Sequence, residues 1–357
     1  MKERRRLFAK VFIILGVLLL AAGIILFIGG MSAVGWDFSA LNTVRYENRT
    51  YEEQSGSVTA LQVDYTDAAI AVEYSETAEK ISVSYPVRQN EHGEDTAEIK
   101  ITEENGVLSI TEHQNWQNNL FQWNIDLDIH FGGEDNSPVV RITLPAGREY
   151  SLTLGTGNGS IRLQANGADL SSLALHTENG SIRAQAETLL HIGGNATFQT
   201  ENGSVTVSNI EAEGDLALHT SNGSVSAENV SAKNITATTE HGDVTLTDAA
   251  ADTALKAQTS TGRISLCGEI AANSLTAKTE TGAILLRDGT IDANAIDLST
   301  ETGSITAENS VFAGAQSDYT VQVSTEIGNS NVSDSLGGNR RLSLKTTTGE
   351  IRVFFQN

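Results

Sequence analysis

One spacing limits what this chain can fold into more than anything else in it. Ten glycines (Gly159, Gly180, Gly203, Gly223, Gly242, Gly262, Gly282, Gly303, Gly328 and Gly349) recur at intervals of 19 to 25 residues. A threonine stands three residues before each of them, from Thr156 to Thr346. Positions five and seven residues before the glycine are always apolar, and Ile or Val follows two residues after it in nine of the ten units, Ser330 being the exception. Each unit therefore reads as strand, tight turn, strand, with alternate residues facing inward. A period of two nested in a period near 21 predicts a β-solenoid of about ten rungs, because one unit has too little apolar surface to fold alone and stacking supplies the shared core.

The rest of the composition agrees. All three prolines, Pro86, Pro138 and Pro145, precede the repeat, so no missing N–H interrupts a backbone ladder there. Four turns are Asn-Gly, at Asn158, Asn179, Asn202 and Asn222. A left-handed backbone is expected at these asparagines, since Asn tolerates it and Gly adopts it freely. The threonines have inward parity beside the bend, where their hydroxyls reach neighbouring rungs. Thr177, Gly180, Thr200, Gly203, Thr220, Gly223, Thr279, Gly282, Thr300 and Gly303 are accordingly read as structural turn and ladder residues.

The expected organisation has five parts. Residues 1–10 form a basic tail with Lys2, Arg4, Arg5, Arg6 and Lys10. Residues 11–30 form an uncharged run, read as a single transmembrane helix with the basic side cytoplasmic and the remainder extracytoplasmic. Residues 31–45 are a tether, 46–145 a membrane-proximal β-rich region, and 146–357 the solenoid. In the β-rich region the nine residues Trp123–Phe131 alternate without a break. The fold class is thus all-β behind one N-terminal helix.

Site chemistry is sparse. The chain carries a formal charge of −22, and the basic tail makes the remainder more acidic still, which disfavours nucleic acid and anionic lipid and would attract cationic peptides. Cys267 is the single cysteine, so it forms no internal disulfide, and it reads as a small buried hydrophobe. Glutamates recur two residues before the glycines. Glu280, Glu301 and Glu326 fall on successive units, about 5 Å apart, and are a weak Ca²⁺ candidate against the alternative of carboxylates splayed into water. Asp126, Asp128 and His130 share one strand face but are too spread for one metal. His176 and His219 hold matching positions on units that are not adjacent. No nucleophile elbow or phosphate loop occurs, and no cofactor is expected.

Thr177-Glu178-Asn179-Gly180-Ser181-Ile182 and Thr200-Glu201-Asn202-Gly203-Ser204-Val205, with Arg141–Pro145 ahead of the first rung and the pair Leu61–Tyr65 and Ala69–Tyr74, resemble a bacterial adhesin-like domain-of-unknown-function family of the cell envelope. The resemblance spans residues 55–357. It implies a surface β-solenoid, in some relatives tied to envelope-stress systems, and it assigns no functional residue. The expected function is a non-catalytic binding or scaffold protein whose partner is a wall component, an envelope protein or a cationic peptide. The rival readings are a carbohydrate-active β-helix enzyme and a solenoid that self-assembles through its ends, with the aromatic pair Phe354 and Phe355 as a capping or docking element.

Overall fold

The computed structural model describes residues 16, 19–30, 32, 45–90, 92–114, 138–166 and 168–356. The protein is an all-β solenoid of about nine turns with a period near 21. It forms one compact unit made of residues 48–87, 98–114 and 138–357. A second unit, described by itself, contains helical residues 19–30 and a turn in which Asn90 Oδ1 accepts from His92 N and Glu94 N.

Helical residues 19–30 cover about 18 Å at ~1.5 Å per residue, short of a ~30 Å hydrocarbon core. Among the described residues no helix is long and apolar enough to cross a membrane. Residues 11–15 and 17–18 of the expected span lie outside the described residues, as does Trp123–Phe131 with Asp126, Asp128 and His130.

Parallel pairing in continuous register builds the coil. Thr200 sits over Thr220, Thr220 over Thr239, Thr239 over Thr259 and Thr259 over Thr279. The residue two after each glycine forms a second column, Ile182–Val205–Val225–Val244–Ile264–Ile284–Ile305, and each member is at most 1 % exposed. Burying each of these side chains contributes roughly 1.5–3 kcal/mol, and all fall into one continuous core.

The ladder is interrupted at several corners in each coil, and two of them differ from the expected turn. Asn158, Asn179, Asn202 and Asn222 do not have positive φ. The left-handed residues lie six positions after the glycine instead: Asn209 (φ 57°), Asn229 (50°), Asp248 (51°), Gly268 (68°), Asp288 (52°) and Asn309 (52°). At the Thr-x-x-Gly corner the glycines from Gly242 onward have φ of 152–158°, and in every coil glycine is also required for a second reason. A Cβ on Gly180 would collide with the carbonyl oxygen of Gly159, and the same collision recurs up the column.

The coil is not threaded in chain order at its ends. Strand Ala60–Tyr65 pairs in parallel with both Val107–Gln114 and Glu149–Thr156, and strand Ala69–Ser75 with both Val139–Pro145 and Ile161–Gln164. Residues 60–75 therefore sit between two segments that follow them in sequence. The far end repeats the device. Strand Arg340–Thr348 pairs with Thr290–Thr302 on one side and Tyr319–Ile327 on the other. The spatial order of the last glycines is Gly282, Gly303, Gly349, Gly328.

Both ends are covered. Ser82–Ser84 pairs antiparallel to Arg141–Thr143. On the outer edge of Tyr319–Ile327, Val321 and Ser335 exchange backbone hydrogen bonds and Val323 N donates to Asp334 Oδ1. Phe355 packs inside this end, 5.6 Å from the Phe312 ring and 5.5 Å from the Tyr319 ring, while Phe354 remains exposed. The C-terminal aromatics thus divide: one caps the core, the other faces outward.

Candidate functional site

The threonine ladder is the most regular polar feature. Thr177 Oγ1 donates to Gly159 O at 2.7 Å, Thr200 Oγ1 to Gly180 O at 2.7 Å and Thr220 Oγ1 to Gly203 O at 2.7 Å. Thr279 and Thr300 do the same to Gly262 O and Gly282 O, at 3.0 and 2.9 Å. Each threonine needs the glycine of the preceding coil, and that glycine needs the absent Cβ of the next. Beside the ladder runs a second one: Asn222 donates to Asn202, Asn202 to Asn179, Asn179 to Asn158, and Asn158 to Asp67. These side chains are occupied with one another, and the corner they form is structural.

The glutamate column does not converge. Strand Arg340–Thr348 separates the coil of Glu301 from that of Glu326, and Thr347 takes the matching position between them. Glu280 and Glu301 remain neighbours, but Glu326 does not complete a triad. The spacing in sequence concealed this because the last coil is inserted out of order. Among the described residues no group of three or more acidic, His or Cys side chains is placed to hold a metal.

Cys267 differs from expectation as well. It lies five residues after Gly262, on the outward parity, while Leu266 takes the buried slot. Partial burial pushes its thiol up, an effect that outweighs the nearby Arg287, so thiolate chemistry is disfavoured. His176 and His219 flank Gln199 in register, one coil away on either side. His219 Nδ1 contacts Thr238 Oγ1 at 3.0 Å.

Two carboxylates near the start of the coil are strongly held. Glu53 is 0 % exposed. It accepts from Val58 N and Ile81 N and pairs through both oxygens with Arg148, at 3.0 and 3.1 Å. Burial alone would raise its pKa, but Arg148 and the two backbone donors lower it overall. Glu103 accepts from Tyr51 Oη, Gln54 N and Ser55 N. Desolvation works upward there too, yet the donors outweigh it and hold the carboxyl at about 2, and burial with Glu103 beside it pushes Tyr51 to about 12. Sequence reading missed both, because an acid in a polar run looks like any solvated acid.

The outward residues of five stacked strands form a shallow, open groove of about 560 Å³. Ser109 and Thr111 lie on the first strand in space, Gln62 and Asp64 on the second, Thr153 and Gly155 on the third, Ala174 and His176 on the fourth, and Thr197 and Gln199 on the fifth. Gly155 and Ala174 make a low floor, and the longer Gln62, His176 and Gln199 side chains rise around it. Parity predicted that these residues face outward. The groove itself depends on residues 60–65 entering the stack between 107–111 and 151–156, which spacing alone does not reveal.

Comparison with known proteins gives one decisive match. No curated protein matches the chain. Several solved structures are similar, among them two at low identity. One is a candidate cell adhesion protein from Clostridium sporogenes, 11 % identical, covering 87 % of this chain and 100 % of its own, with a TM-score of 0.26. The other is a candidate adhesin from Bacteroides fragilis, 14 % identical, covering 71 % of this chain and 97 % of its own, with a TM-score of 0.35. Likeness at these scores carries no argument about shape or role. The family profile described as Toastrack DUF4097 matches residues 58–282, more than half of the chain and the stretch that contains both the groove and most of the threonine ladder. The chain belongs to the Toastrack DUF4097 family.

Proposed function

We propose that this protein is a non-catalytic binding scaffold of the cell surface, anchored by its N-terminal apolar segment, and that it holds a hydroxyl-rich polymer of the envelope across its coils. The five-strand groove carries the reading. Beside the apolar Val63, Leu154 and Leu175, its lining carries hydroxyl and amide side chains from Ser109, Thr111, Thr153, Thr197, Gln62 and Gln199, each able to donate and accept. Neighbouring coils repeat every ~4.8 Å, so a chain laid along the stack meets similar groups at a regular interval. A glycan strand of the wall has that kind of surface. The basic tail before the apolar run supports an extracytoplasmic placement for the coil.

A hydrolytic role is less well supported. Glycoside cleavage normally uses a pair of carboxyl groups flanking the bond, and Asp64 is the one carboxylate lining the groove.

The test is co-sedimentation of the full chain with isolated cell envelopes at low and high salt. Salt-resistant binding that Ala174→Trp reduces at least tenfold, with thermal stability unchanged, is the expected result. Binding that disappears at high salt would replace the groove with the acidic surface and a cationic peptide or protein partner. Binding untouched by Ala174→Trp would remove the groove from the function.

A further inference from the structure

Arginine is out of place on the coil face that follows the Thr-x-x-Gly corner. Arg162 and Arg183 are direct register partners on adjacent parallel strands, and both are exposed. Among the parallel strand pairs of the coil, no other directly opposite pair brings two cations together. Like charges facing each other across a ladder are destabilising. In a chain of net charge −22, acidic neighbours are plentiful enough to prevent this. Elsewhere on the molecule they do: Arg287 pairs with Glu308 at 3.1 Å, Arg340 with Asp292 at 2.9 Å and Arg352 with Glu350 at 2.9 Å. Among the described residues no carboxylate pairs with Arg162 or Arg183.

Their surroundings are neutral as well as cationic. Gln164 and Gln185 are also register partners, two residues further along the same face. The four side chains enclose a concavity of about 290 Å³ floored by Leu163. Thr206 occupies the arginine position on the next coil. On the other side Ala71 does so, followed by Arg141. Glu73 is opposite Gln164, diagonal to Arg162, and is the nearest acid in the register.

We infer that Arg162, Arg183, Gln164 and Gln185 form a binding site for a phosphate group. Two guanidinium groups one coil apart, about 4.8 Å, can each direct a fork of N–H donors at a shared oxyanion. A planar carboxylate is satisfied by one such fork. A tetrahedral phosphate presents oxygens to both and leaves more for the two amide NH₂ groups. At physiological ionic strength the Debye length is about 8 Å, so the patch acts on a bound group while the distant acidic surface is screened. This face is distinct from the groove, and either site can fail without affecting the other.

The test uses the full chain at 0.15 M ionic strength, about the physiological value, with an inorganic polyphosphate chain as the probe in calorimetry. Binding should weaken at least tenfold in the double variant Arg162→Gln/Arg183→Gln and stay unchanged in Arg287→Gln, whose guanidinium is already paired. Arg162→Lys/Arg183→Lys, which keeps the charge and loses the forks, should fall between them. Inorganic phosphate should displace the chain, and chloride at equal ionic strength should not. No binding by the wild type, equal loss in Arg287→Gln, or equal displacement by chloride would each overturn the proposal.

Discussion

At Thr200 one hydroxyl does two things. It satisfies a carbonyl buried at the corner, and it holds that carbonyl in the space left free by Gly203. Thr200→Val keeps the shape and removes the donor. It should destabilise the protein by about 1–2 kcal/mol in chemical denaturation. Gly203→Ala should cost more, because the added methyl meets backbone that cannot move without shifting the whole coil. Glu53→Ala should cost about 3 kcal/mol, since it leaves Arg148 unpaired and two buried N–H groups without an acceptor. Glu103 sets a pH dependence. Its carboxyl lies at about 2 when folded and near ~4.3 when unfolded, so its contribution is present above pH ~4.3 and is lost as the pH falls toward 2. The unfolding midpoint should therefore drop over that interval, and Glu103→Gln should flatten the drop. Thr200 and Gly203 were legible in the sequence because their roles repeat ten times. Glu53 and Glu103 were not, because each depends on donors brought together by the fold. The left-handed corner was legible and overlooked: Asn, Asn, Asp, Gly, Asp and Asn recur six residues after successive glycines.

Among the strands, parity was readable and order was not. Leu61, Val63, Tyr65, Ala68, Ile70 and Val72 carry the same inward pattern as a repeat unit, with Tyr65 where threonine would stand and Ala68 where glycine would. Thr156 Oγ1 indeed donates to Ala68 O at 2.8 Å. Inward parity is the same whichever coil lies above or below, so nothing local tells residues 340–353 to enter between two earlier coils. Removing residues 340–357 tests the inserted order. It would strip a pairing partner from both Thr290–Thr302 and Tyr319–Ile327. Hydrogen exchange should then show loss of protection in both strands, with protection in Val225–His241 retained. In a coil stacked in chain order, Tyr319–Ile327 would keep its contact with Thr290–Thr302.

On the scale of the whole molecule, the covered ends bear on self-assembly. An open solenoid edge is a template for another chain. Here Ser335 and Asp334 occupy donors of the outermost strand at one end, and Ser82–Ser84 lies across the other. The full chain should therefore sediment as the same species across a wide concentration range. Concentration-dependent growth would show that the end segments leave the edges accessible. The exchange of strand order at both ends has a further consequence for how such a protein can vary. A solenoid built in simple succession is lengthened or shortened by adding or losing its last repeat. This one is closed at each end by a segment locked between two others, so terminal gain or loss breaks an interlock. Whole coils can be inserted or excised only in the stretch from Gly159 to Gly303, where register passes from one coil to the next in chain order. Length in this architecture is adjustable from the middle, like a ladder with fixed end rails.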